Sequence, residues 1–222
     1  MGAKDTPPRK PGRPRDPDLE ARRRGEILDA AEKAFASTGF AETDVQVIAD
    51  QLGLGKGTVY RYFPTKKDLF LATVDRGLAD LTTEMETVIT DEAIDPVEMI
   101  RHAFHTYLRF FARRPELTEL FFQERVAFQG RETPRYFSSM CTHQSRDEEM
   151  VKHLIAAGRL RPVEVEHLLT VLGDLLFGTV LSNHLSGRTA DPVAQADAIV
   201  DVLFHGILTD RERKTHSQRP KK

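Results

Sequence analysis

Apolar residues fall at helical spacing along almost all of this chain, and the places where that spacing breaks divide it into elements. Ile27, Leu28, Ala31, Ala34 and Phe35 recur at three- and four-residue intervals up to Gly39, which predicts a first helix ending there. The run VQVIADQLGLGKGTVYRYF, residues 45–63, then carries two short helical patterns around one glycine. Ile48, Leu52, Leu54 and Val59 occupy the positions where two crossing helices share an apolar seam, leaving Gln46, Lys56, Thr58, Tyr60 and Arg61 outside. Close crossing requires a small residue on the first helix and a residue free to take unusual backbone angles in the turn, and Ala49 and Gly53 supply them. This combination predicts a helix-turn-helix.

The punctuation between patterns fixes the other boundaries. Thr43 with Gln46 three residues on reads as a capping box for the second helix, and Thr65 with Asp68 as another opening a long helix through about Ile89. Proline is tolerated in a helix's first turn, and Asp95-Pro96, Arg114-Pro115, Thr133-Pro134, Arg161-Pro162 and Asp191-Pro192 each precede a helix-period segment. Ile100, Phe104, Tyr107, Leu108 and Phe111 form one apolar stripe, and Leu117, Leu120, Phe121, Glu124 and Phe128 mark the next. No segment alternates at period two for long enough to predict a strand. The expectation is an all-α chain of about nine helices: a three-helix head with the helix-turn-helix (18–64) and a larger helical bundle body (65–208), flanked by a basic arm (1–17) and a basic tail (209–222).

Composition supports a globular chain, with 40% hydrophobic and 30% charged residues. No apolar run approaches the roughly 20 residues of a membrane span, the N-terminus lacks the apolar segment of a signal peptide, and the single Cys141 excludes an internal disulfide. These features predict a cytoplasmic protein with no membrane partner and no cofactor. The net charge of −2 is unevenly distributed: residues 1–24 carry +4, residues 209–222 carry +4, and the head from 25 to 70 carries −2. Positive charge at the ends and an acidic body favour docking on nucleic acid by one end.

With its residues set out this way, ILDAAEKAFASTGFAETDVQVIADQLGLGKGTVYRYFPTKKDLF resembles the head of the TetR family of bacterial transcription regulators, from about Arg24 to Val74. The resemblance implies a one-component regulator that binds a double-stranded, palindromic DNA operator as a homodimer, most simply as a repressor, and is released by a small effector. Position by position, it places DNA-binding roles on Lys56, Gly57, Thr58, Tyr60, Arg61 and Tyr62. The side chains fit those roles. Thr58 and Tyr60 can reach phosphate or a thymine methyl, Arg61 can fork onto a guanine edge, and Lys56 and Lys66 can neutralise phosphates. Thr43, at the second helix's start, is expected to hold a phosphate with its hydroxyl and the N–H groups behind it. Two positions depart from the pattern: Gly55 stands where the family often has a capping serine, and Asp44 brings a negative charge to the phosphate side unless it caps a helix.

A slightly acidic head needs attraction from elsewhere, and the arm contains RKPGRPR, Arg9 to Arg15. Its Gly-Arg-Pro centre resembles an AT-hook, an extended peptide that enters the narrow minor groove of A/T-rich DNA, with Arg13 and Arg15 as the inserted cations. A basic tail that only raises nonspecific attraction to phosphate has the same composition.

In the resembled family the body holds the effector and its last two helices dimerise. Here those fall at about 162–185 and 192–208. Leu172, Leu176 and Val180 on the first, with Ile199, Val202 and Leu203 on the second, are the expected interface, and Gly173 and Gly178 would allow close approach. Phe104, Tyr107, Phe111, Phe121, Phe128, Tyr136, Phe137 and Phe177 are the candidate lining of an apolar effector pocket, with His105, Arg109, Glu124 or Asn183 as polar anchors. The same residues would also serve simply to fill a core. A different class, an all-helical di-iron enzyme, is suggested by Glu164-x-x-His167 and by His102-x-x-His105, but that site needs a second E-x-x-H pair, which the chain lacks. The chain is therefore expected not to be an enzyme.

Overall fold

The computed structural model describes residues 16–91, 93–128, 134–140 and 144–206. Among these residues there are ten α-helices and no strand. The AT-hook-like arm with Arg13 and Arg15, and the basic tail, lie outside the described residues.

The head comprises α1 (Pro17–Glu42), α2 (Val45–Gln51) and α3 (Lys56–Tyr62). Asp16 opens α1, its carboxylate accepting from the Asp18 and Leu19 N–H groups. The helix breaks where the sequence predicts, at Gly39, whose φ of 83° and ψ of 157° kink the chain before its last residues. Between α2 and α3, Gly53 takes φ 63°, a left-handed conformation that a side chain would strain, and Leu54 N–H returns to the Ala49 carbonyl at 2.9 Å. Ile48, Ala49 and Val59 are fully buried in the seam, with Leu52 and Leu54 packed against it.

The body comprises α4 (Lys66–Ile89), α5 (Pro96–Arg113), α6 (Pro115–Ala127), α7 (Arg135–Met140), α8 (Gln144–Ala156), α9 (Val165–Ser186) and α10 (Pro192–His205). The predicted Thr65–Asp68 capping box starts α4, with both halves present. Asp95 and Asp191 cap α5 and α10 ahead of their prolines. The expected start after Arg161-Pro162 is three residues early: Glu164 caps α9, its carboxylate accepting from Glu166 and His167 N–H groups at 3.0 and 2.6 Å. The apparent E-x-x-H is therefore a helix cap, and its carboxylate is already committed. Among the described residues no three His, Cys, Asp or Glu side chains cluster as metal ligands.

Head and body share one continuous core. Helix α1 packs on both α4 and α6, α5 on α4 and α10, and α9 on α5, α6 and α8. Gly77 of α4 lets Leu117 of α6 approach so closely that a Cβ there would lie 2.5 Å from a Leu117 methyl. Helix α9 departs from the sequence expectation: by length and composition it is apolar enough to cross a membrane, yet little of it is buried within the protomer. Leu176 and Val180 are the exceptions, facing inward, so those two positions belong to the protomer's own core. On these last two helices the exposed large apolar residues are Val171, Leu175 and Leu185 of α9 and Val202 of α10.

Candidate functional site

Helix α3 presents the candidate DNA-reading face. Val59 is buried beneath it, while Tyr60 and Arg61 are exposed and Lys56, Thr58 and Tyr62 half-buried. Glycine at Gly55, the N-cap, leaves the first turn of α3 without a side-chain cap, and Thr58 N–H returns to the Gly55 carbonyl at 2.7 Å. A Cβ at Gly57 would meet nothing within 4 Å, so its lack of a side chain answers no packing need inside the protomer. Arg61 lies over the Tyr62 ring at 5.4 Å, and Arg24 over Phe63 at 4.9 Å, tying the start of α1 to the end of α3.

Three expected phosphate contacts have internal partners. Thr43 is buried, and its hydroxyl donates to the Gly39 carbonyl at 2.6 Å and lies 2.7 Å from the Thr38 hydroxyl. It staples the kink after α1, and the cap of α2 falls instead to Asp44, whose Oδ1 accepts from Gln46 N–H at 2.9 Å. The same oxygen receives Lys56 Nζ at 2.7 Å. Asp44 thus bridges the starts of α2 and α3. The Gln46 N–H and then the Lys56 ammonium hold its carboxyl below the usual range, and Lys56 is raised in turn by its bond to Asp44. Lys66 Nζ donates to the Ala41 and Thr43 carbonyls at 2.8 and 3.1 Å and lies over the Phe40 ring, anchoring α4 under the end of α1.

In the body, most of the candidate pocket rings pack on one another. Tyr107, Phe111 and Phe121 lead through successive ring contacts to Tyr136, which stacks on Phe177 at 4.6 Å and meets Phe137 edge-on at 5.2 Å. At the centre the Tyr107 and Tyr136 hydroxyls lie 2.5 Å apart, with the residues only 2% and 3% exposed. Burial pushes the Tyr107 hydroxyl well above its usual range, and burial with the charge of Asp174 takes Tyr136 up to about 12. Phe104 is buried in the same core.

Other candidates lie elsewhere. Phe128 packs edge-on against Phe40 at 4.9 Å and against Phe70 at 5.7 Å, under the head, because α6 ends there against α1 and α4. His105 turns toward α10, its Nε2 2.9 Å from Asp197 Oδ1, which Arg101 also reaches at 3.1 Å. Glu124 accepts the Arg135 N–H that opens α7, and Asn183 exchanges amide bonds with Gln195 of α10. Two open surface grooves among the described residues measure about 470 and 310 Å³; the first is lined by Asp80, Glu84, Arg113 and Arg114, and the second by Asp75 with Arg135 and Ser138 of α7, on either side of Tyr136 and Phe137.

Sequence reasoning missed the charged hub joining head to body. Glu32 of α1 is buried and receives Arg114 Nη2 at 2.6 Å and Nε at 3.3 Å, while Arg114 Nη1 reaches Asp80 at 2.7 Å. Arg76 of α4 completes it, bonding Asp29 at 2.6 Å and the Gly25 carbonyl at 3.1 Å. A glutamate among apolar helix positions, Leu28 and Phe35 on either side, was the available signal.

Comparison with known proteins bears on this geometry. The model of the bacterial regulatory proteins of the tetR family matches residues 27–73, the helix-turn-helix with its flanking helices. The nucleoid occlusion factor SlmA of Vibrio campbellii is 31% identical over 109 residues, covering 49% of this chain and 55% of that protein. The HTH-type transcriptional regulator HbdR of an Aromatoleum species is 27% identical over 154 residues, covering 69% and 66%. The match thus spans between half and two thirds of each of these curated relatives. The crystal structure of FadR from Bacillus subtilis in complex with stearoyl-CoA is alike in fold, with a TM-score of 0.68 at 19% identity over 83% of this chain and 99% of that one.

Proposed function

The chain belongs to the tetR family of bacterial regulatory proteins, and from that premise we propose that it is a cytoplasmic one-component transcription repressor, binding a palindromic operator as a homodimer. The observation that carries this reading is the outer face of α3, where Tyr60 and Arg61 stand exposed beside a half-buried Thr58 over a seam locked by Ala49, Gly53 and Val59. A helix held from behind and polar in front is what major-groove reading requires. Two copies are favoured by α9, whose exposed Val171, Leu175 and Leu185 leave an apolar face for a second protomer to cover.

The effector is a small, largely apolar molecule bound in the body. Its support is the aromatic cluster around Tyr136, together with the stearoyl-CoA held by FadR, a protein of the same fold. Repression and release then form a two-state equilibrium, in which the effector prefers the body conformation that misplaces the two heads. Helix α4 joins the two parts, starting under α1 and running along α5.

Genome-wide footprinting with the full chain tests the proposal. A two-fold-symmetric site near promoters, lost with Arg61→Ala, is the expected result; uniform occupancy without a motif would overturn it.

A further inference from the structure

The Tyr107–Tyr136 pair does not balance its own hydrogen bonds. Two phenol groups bring two O–H donors, and their mutual bond uses one of them. Among the described residues neither hydroxyl has any other hydrogen-bond partner, so one donor is buried without an acceptor. Such a group is costly in an apolar core unless something supplies an oxygen. The surroundings are aromatic: Phe111, Phe121, Phe137 and Phe177 ring the pair, and Phe137, on the short α7, carries the cluster to the surface. The charge nearby is negative, from Asp174 of α9. The adjacent cation, Arg135, is committed to Asp75 at 2.6 and 2.8 Å.

We propose that the two tyrosine hydroxyls are the polar anchor of the effector site, and that they select a neutral molecule with a flat apolar body and one oxygen acceptor, such as an aryl ketone, ester or lactone. This rests on the reading that the body binds an effector, and it narrows the class. The second hydroxyl donates to the ligand oxygen while the rings stack on its body. A carboxylate or an acyl-CoA brings negative charge to a site where Asp174 is close by and, among the described residues, the adjacent Arg135 is already paired with Asp75, so both are disfavoured.

Three naphthalenes of matched size test this by titration calorimetry on the full chain: 2-acetylnaphthalene, 2-isopropylnaphthalene and 2-naphthoate, with stearoyl-CoA alongside. The expected result is 2-acetylnaphthalene bound about tenfold or more tighter than the other two naphthalenes, the scale of one buried hydrogen bond. The decisive variant is Tyr107→Phe with Tyr136→Phe, because either hydroxyl alone could still donate to a ligand. Removing both leaves no unpaired group and so preserves the core; the acetyl preference should vanish while 2-isopropylnaphthalene binding stays the same. If 2-isopropylnaphthalene or 2-naphthoate matches the ketone, or if the double variant keeps the preference, the tyrosine anchor is overturned and an effector site of other chemistry stands. If stearoyl-CoA alone binds, the anchor is likewise wrong. If none of the four binds, the effector reading falls, and the anchor with it.

Discussion

Glu32 of α1 and Arg114 at the α5–α6 junction meet as a two-pronged ion pair, with their side chains only 10% and 23% exposed. The pair joins the DNA-reading head to the body at a point where α1 lies on α6. Without Arg114 the buried Glu32 keeps only the longer pairing to Arg76 at 3.8 Å, and losing the close partner of a buried charge is costly. Arg114→Ala should therefore destabilise the chain by roughly 3 kcal/mol, lowering the melting temperature by on the order of 10 °C. Adding Glu32→Gln to Arg114→Ala should recover part of that loss. Calorimetric melts of the single and double variants check this, and an Arg114→Ala melt equal to wild type would remove the junction from the account.

The Asp44–Lys56 bridge makes a prediction about DNA. Asp44→Asn keeps an oxygen to cap α2 through Gln46 N–H but deletes the charge that holds Lys56 at 2.7 Å. Lys56 then becomes available to phosphate, and a repelling carboxylate is gone. Binding to the footprinted site should tighten, and the slope of log K against log salt should steepen by about two, about one for the Lys56 of each protomer in the dimer. An unchanged slope would mean that Lys56 already leaves Asp44 when DNA arrives.

These two relationships show where the sequence was legible and where it was not. The helix-turn-helix could be read because its constraints are local: Ala49, Gly53, Ile48 and Val59 lie within a dozen residues of one another, and their spacing alone requires the crossing. The Thr65–Asp68 box and the Asp-Pro starts were legible for the same reason. Asp44 rather than Thr43 as the cap was not, since adjacent residues both suited to capping are separated only by which side chain the kink at Gly39 draws inward. Glu32 and Arg114 are 82 residues apart, and nothing local couples them. Phe128 and Leu176 fell on the wrong side for a related reason: periodicity says that a residue is buried, but not against which neighbour.

Gly77 is where α4 and α6 touch most closely. A methyl added there would lie 2.5 and 2.8 Å from the two Leu117 methyls, and Leu117 is fully buried. The better helix propensity of alanine, about 1 kcal/mol, is outweighed by overpacking of about 1–3 kcal/mol. Gly77→Ala should be destabilising by chemical denaturation, and Leu117→Val should be less harmful in that background than in wild type. Additive losses would show that the contact is not the cause.

Asp95 links helix capping to acid stability. Its carboxylate receives Arg159 through two bonds at 2.7 and 2.9 Å and the Val97 N–H at 2.9 Å, and these hold it at about 2, below the ordinary 3.8. A group whose folded value is lowered contributes stability that is fully present above the unfolded value and is lost as pH falls toward the folded one. The contribution should thus fade between about pH 4 and pH 2. Asp95→Asn should flatten the stability profile across that window, with little pH dependence of its effect above pH 5. A loss that begins near neutrality would assign the acid transition to other groups.

Neighbouring leucines on α9 separate folding from assembly. Leu176 is 8% exposed and faces its own core, whereas Leu175 is 38% exposed beside Val171. Leu176→Glu buries an unpaired carboxylate and should unfold the protomer or cost it several kcal/mol. Leu175→Glu leaves that core intact but places a charge on the face proposed to meet a second copy. Sedimentation equilibrium should then find Leu175→Glu as a folded monomer with a wild-type helical spectrum, and wild type as a dimer. Its operator affinity should fall steeply, since one head loses the second half-site. A Leu175→Glu protein that remains dimeric would move the interface off this face of α9, and the exposed Val202 of α10 would be the next position to test.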